Sequence, residues 1–201
     1  MTQSFARLFD DPSMRDFARR LPRSSRLKPG DVAPNKLTIP EGKAQKLMPE
    51  VARLVADLPR GSTPEVVWSD GGSELMVNTD SIRIACTSGL IRVSVVVECD
   101  QLDGPTTITV PLAVGTKDKT TGLVMSTYDV LEGPKPVVDY WFDPLVAFSW
   151  ECLLELCRRL AAEVGDDQAG RALIPGAVAA TTRQLIVQPM ARHDLLSRSR
   201  G

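Results

Sequence analysis

The sequence predicts an α+β fold: an N-terminal helical arm, a kinked helix, an antiparallel meander of five to seven strands, and a long C-terminal helix packed on one sheet face. Three observations carry this. Apolar residues recur at helical spacing before residue 60, the period changes to two between Pro64 and Tyr140, and a strongly apolar helical run follows Asp143. With 201 residues, 43% of them apolar, the chain can bury a sizeable core. Its signals divide it into an arm and proline-rich linker over 1–35, a core domain over 36–166, and a C-terminal segment with a basic tail over 167–201.

The arm repeats itself: Phe-Ala-Arg-Leu at Phe5 to Leu8 returns as Phe-Ala-Arg-Arg-Leu at Phe17 to Leu21. Asp11 before Pro12 is an N-cap followed by a first-turn proline, so a short helix is expected over Pro12 to Leu21. It is too short to be stable alone. Pro22 to Pro34 has no periodic apolar face and reads as an extended linker, whose residues at about 3.1 Å each would span roughly 40 Å. Phe5, Leu8, Phe9, Phe17 and Leu21 are therefore candidate partner-binding residues on a tethered docking arm.

Thr38-Ile39-Pro40-Glu41 has capping-box spacing and opens a helix expected to reach about Leu58, with Leu47, Val51, Leu54 and Leu58, and Met48 and Val55 beside them, as its stripe. Pro49 inside it should kink or split it, because proline removes a backbone donor and crowds the preceding turn. In the meander, Ile91, Val93, Val95, Val97 and Cys99 alternate with Arg92, Ser94, Val96 and Glu98, and Ile108, Val110 and Leu112 alternate with Thr107 and Thr109. Turns at Asp70-Gly71-Gly72, Ser88-Gly89, Asp103-Gly104-Pro105 and Glu132-Gly133-Pro134 allow antiparallel hairpins.

Asp143-Pro144 repeats the cap-and-proline signature and opens the long helix, expected to end near Gly165. Val146, Trp150, Leu153, Cys157, Leu160 and Val164 form one apolar stripe; Leu145, Phe148, Cys152 and Leu156 form a second. One sheet face cannot cover both. Burying each additional large apolar side chain stabilises by about 1.5 to 3 kcal/mol, so the second stripe requires the C-terminal segment, the arm or a second subunit. Phe148 and Trp150 join the arm residues as candidate partner contacts. Beyond the helix, a small-residue loop leads to a short β-like run over Arg183 to Val187 and then the basic tail.

No chemistry-bearing motif stands out. Gly115 to Gly122 lacks the order of a phosphate loop and reads as a hairpin tip. His193, the only histidine, lies in the tail, and the carboxylate pairs Asp100/Asp103 and Asp166/Asp167 sit in turns where solvation explains them. Cys86, Cys99, Cys152 and Cys157 show no zinc spacing and read as free thiols; Cys86 or Cys99 would be the nucleophile of an enzyme, a reading that lacks a base. No cofactor or metal is implied.

The net charge of −1 hides an asymmetry. Residues 1–47 carry ten Lys/Arg against five Asp/Glu, 182–201 carry four against one, and the remainder carries ten against nineteen. Basic ends flank an acidic body, which would repel phosphates, so nucleic acid is not an expected partner. No apolar run approaches the length of a membrane span or a secretory signal, so a cytoplasmic setting without membrane contact is expected.

If Lys36 to Ile39 forms a first strand, the element order over about residues 36–165 resembles the helix-grip folds of the lipid-transfer and plant-allergen type. That resemblance rests on element order and implies an apolar cavity between a curved sheet and the last helix. The leading expectation is a non-enzymatic protein-interaction or assembly subunit that docks through its terminal arms and the apolar long helix, self-associating or within a larger assembly. The alternative is a carrier of a small apolar ligand.

Overall fold

The computed structural model describes residues 36–118, 121–122, 131–164 and 173–191. In order, these give strand β1 (Leu37–Pro40), helix α1 (Glu41–Val55), strands β2 (Glu65–Asp70), β3 (Ser73–Thr87), β4 (Leu90–Glu98), β5 (Thr106–Ala113) and β6 (Thr121–Gly122), helix α2 (Lys135–Ala162), and strands β7 (Leu173–Thr181) and β8 (Gln184–Ala191). The protein is α+β, with two four-stranded antiparallel sheets ordered β2-β3-β4-β5 and β1-β8-β7-β6. The strand at the start of the core is present. The predicted meander accounts for the first sheet, and the second is built from β1, from β6 within the meander region, and from β7 and β8.

The first sheet follows its alternation. Leu75, Val77, Ile82, Ile84, Ile91, Val93, Val95, Val97, Ile108, Val110 and Leu112 face the core, while Ser94 and Thr109 pair hydroxyls at 2.8 Å on the other face. A bulge between Asn78 and Arg83 shifts the register of β3. It is stitched locally: Asn78 Oδ1 accepts from the amides of Asp80 and Ser81, and Ser81 Oγ accepts from the Val96 amide at 2.8 Å.

Beyond that bulge β2 no longer flanks β3, and α1 takes its place. Gln45 Oε1 accepts from the Ile84 amide at 2.8 Å and its Nε2 donates to the Ile82 carbonyl at 3.0 Å, while Glu41 Oε2 accepts from the Cys86 amide at 2.6 Å. Side chains thus satisfy an edge that would otherwise leave backbone groups unpaired. Four expectations are corrected here. Thr38 lies in β1 and no side chain caps α1; Glu41 is committed to the β3 edge. The buried face of α1 is Ala44, Met48, Val51 and Ala52, with Leu54 52% exposed, because the helix rotates to bring Gln45 and Glu41 onto that edge. The helix stops at Val55, short of Leu58, and continues through Pro49 as one element.

The long helix also differs from its prediction. Lys135 to Tyr140, expected in the meander, is its first segment, with Pro136 in the first turn where no amide partner is lost. A kink at Trp141 (φ −104°, ψ 17°) separates this short first segment from the main helix, whose first turn carries Asp143-Pro144 where the sequence placed the start, and which ends at Ala162. Residues 145–150 are all buried. A helix buried through six successive residues is surrounded, so α2 does not lie on one sheet face only: it packs against α1, β5, β7 and β8.

The C-terminal segment answers the question of the second stripe. The expected small-residue loop is β7, paired with β8, and β8 pairs with β1 in the register Leu37↔Val187, Thr38↔Ile186 and Ile39↔Leu185. Ile39, Val178, Ala180, Leu185 and Val187 join the core that contains both stripes of α2. Ala177, Ala179, Ile186 and Gln188, on the opposite face of the same strands, are buried as well. The two sheets meet at one corner, where the Gly115 amide donates to the Val178 carbonyl at 3.1 Å and the Gly89 amide to the Ala180 carbonyl at 3.1 Å.

Candidate site: the acidic end of the first sheet

Of the partner residues expected from sequence, Phe5, Leu8, Phe9, Phe17 and Leu21 lie outside the described residues, as does His193. Phe148 and Trp150 are inside the molecule, at 0% and 6% exposure, and the Phe148 ring meets Trp68 edge-on at 5.5 Å. Their stripes are covered from within the chain. Val164, at 39%, is the exposed end of the first stripe.

The thiols divide into two kinds. Cys86, Cys152 and Cys157 are buried; burial, then the nearby Glu41 carboxylate, pushes the Cys86 thiol up to about 12, and burial pushes Cys152 and Cys157 well up. These are neutral thiols at physiological pH and poor nucleophiles. Cys99 is half-buried and lines a surface recess. No cluster of metal-ligating side chains forms among the described residues, and no helix among them is long and apolar enough to cross a membrane.

Two adjoining recesses, of about 330 and 180 Å³, open where the β2–β3 hairpin meets the β4–β5 loop. They share Glu74, Cys99 and Asp100; the larger adds Glu98 and an apolar floor of Val67, Met76 and Leu102, and the smaller reaches Trp141. The alternation of the strands explains this composition: Val67, Glu74, Met76 and Glu98 occupy positions opposite to the core-facing Trp68, Leu75, Val77 and Val97. Tyr140, 46% exposed, donates its hydroxyl to the Asp70 carbonyl at 3.1 Å and holds the hairpin tip against α2.

The electrostatics of this end are one-sided. Asp70, Glu74, Glu98, Asp100 and Asp103 come from the hairpin and the loop, with Asp139 and Asp143 on α2 beside Tyr140 and Trp141. Segments 61–82, 93–116 and 136–157, which supply all seven, contain no Lys or Arg. The ion pairs among the described residues lie elsewhere: Lys43–Glu163, Arg53–Asp80, Arg92–Glu132, and Glu155 and Glu50 with Arg158 and Arg159. Sequence reasoning assigned Asp100 and Asp103 to solvation and missed the convergence. The signal available was the run of three segments without a single cation.

No family model, curated protein or solved structure matches this chain.

Proposed function

We propose that this protein is a non-enzymatic interaction subunit that self-associates, with the acidic, apolar-floored end of its first sheet as the receiving surface for a basic segment bearing apolar anchors. The observation that carries this reading is the set of carboxylates around Val67, Met76 and Leu102 with no ion pair among the described residues. Charges arranged in this way steer a cationic partner, and the apolar lining adds contact area. The long helix, expected as a second docking face, enters the reading as the scaffold that sets the hairpin and loop. Burial of Cys86 supports the non-enzymatic reading, since it keeps the thiol protonated.

An apolar ligand carrier of helix-grip type would need an enclosed cavity between sheet and last helix. Trp68, Phe148, Leu145, Leu153 and Leu156 fill that interior with large side chains at or below 1% exposure, and the recesses carry carboxylates at their walls. Light scattering of the full chain across concentration and salt tests the proposal. The expected result is a mass above the 21.9 kDa monomer at low ionic strength that falls as salt screens the contact. A monomer under every condition would overturn self-association.

A further inference from the structure

We propose that the recess of one copy receives residues 15–28 of a second copy, so that the chains associate head to tail; this rests on the interaction reading above. That run carries Arg15, Arg19, Arg20, Arg23, Arg26 and Lys28 against Asp16 alone, a net of +5, with Phe17, Leu21 and Leu27 interleaved. It is the chemical complement of a rim formed by Glu74, Glu98 and Asp100 over Val67, Met76 and Leu102. Guanidinium groups pair with carboxylates in a fixed, two-pronged geometry, and an aromatic anchor in an apolar depression supplies the binding core.

The position of Lys36 limits which part of the run can reach the recess of its own copy. Lys36 donates to the Lys117 carbonyl at 3.4 Å, beyond the far end of β5. The recess lies at the near end, since Thr106, the first residue of β5, pairs with Val97 and the loop 99–105 precedes it. The eight residue steps from Lys28 to Lys36 cover at most about 29 Å when fully extended, and β5, eight residues long, takes up about 27 Å of that distance. Placing Lys28 at its own recess would stretch the spacer to its limit, whereas Phe17, nineteen steps from Lys36, would still reach it, so cross-linking between differently marked copies decides which copy is engaged. A recess on a second copy sets no such limit on Arg26 or Lys28. Such contacts are heterologous and build rings or open filaments.

Cys99 lines the recess and, alone among the four thiols, is not buried, so it serves as a native reporter. An Ala18→Cys, Cys99→Ser full-length donor is mixed with the unsubstituted full-length acceptor under mild oxidation, and disulfide-linked dimers are read on a non-reducing gel. The expected product is a heterodimer whose yield falls at least tenfold when the acceptor carries Glu98→Lys and Asp100→Lys. It recovers when the donor also carries Arg19→Glu and Arg20→Glu, a rescue that an unfolded acceptor could not give. Absence of the dimer, or a yield indifferent to both charge reversals, would overturn the head-to-tail contact. If the dimer fails while light scattering still shows salt-sensitive oligomers, this inference falls and the interaction reading stands; a monomer throughout removes both.

Discussion

The two sheets obey different rules. In the first, Ile91, Val93, Val95 and Val97 are dry while Arg92, Ser94 and Val96 between them are half-exposed. In the second, Ala177 to Ala180 and Leu185 to Pro189 are buried without a break. Alternation in a sequence records a sheet with one wet face. When both faces are covered, the period disappears, and small residues such as Ala179 and Ala180 admit close neighbours on either side.

That contrast can be broken most directly by placing a charge on the outward position of each sheet. Ile186→Lys should destabilise by on the order of 3 kcal/mol or more, because neither face of β8 offers water to the ammonium. Thr107→Lys on the exposed face of β5 should stay within about 0.5 kcal/mol. Urea melts of the two variants measure both, and equal losses would dissolve the distinction. Next in size, Gln45→Leu removes both hydrogen bonds that cover the β3 edge at Ile82 and Ile84, and a loss of about 2 kcal/mol is expected in the same assay.

Alkaline pH sharpens the comparison through the core thiols. The folded Cys86 pKa lies above the ordinary thiol value, so its contribution to stability is complete below pH 9 and declines as pH rises toward about 12. Unfolding in that window releases a proton, and Cys86→Ala should flatten the slope of stability against pH by up to about 1.4 kcal/mol per pH unit. A thiol-specific reagent at pH 8 should label Cys99 first, with Cys86, Cys152 and Cys157 reacting only on unfolding. The smallest effect is expected at Ser149, whose buried Oγ has no hydrogen-bond partner among the described residues. Ser149→Ala should leave stability unchanged or raise it by up to about 1 kcal/mol, read as a thermal midpoint.

Much of the fold was legible because local patterning and tertiary demand agree. The strands at Ile91 and Ile108 follow period two, and the α2 stripes at Val146 and Leu145 are buried as their spacing requires. The misreadings share a cause: a local signal met a stronger tertiary requirement. Thr38-x-x-Glu41 has the residues of a capping box, yet Thr38 extends β1 opposite Ile186 and Glu41 accepts from the Cys86 amide. Lys135 to Tyr140 reads as the end of the meander, yet it forms a helical segment ahead of the kink at Trp141. The candidate site was less legible, since Glu74 belongs to one stretch of chain and Glu98 and Asp100 to another, and only the sheet register unites them.

The pairing of Leu37 with Val187 spans 150 positions of the chain. A ribosome adding about 5 to 20 residues per second needs roughly 8 to 30 s between exposing one and the other. α2 is complete at Ala162, 25 positions before Val187, so for roughly 1 to 5 s both of its stripes wait without their final cover, and nascent chains should be clients of holding chaperones. Release before the last strand emerges would yield a sticky, protease-sensitive product, and late stop codons should cost this protein its solubility more than early insertions in its loops.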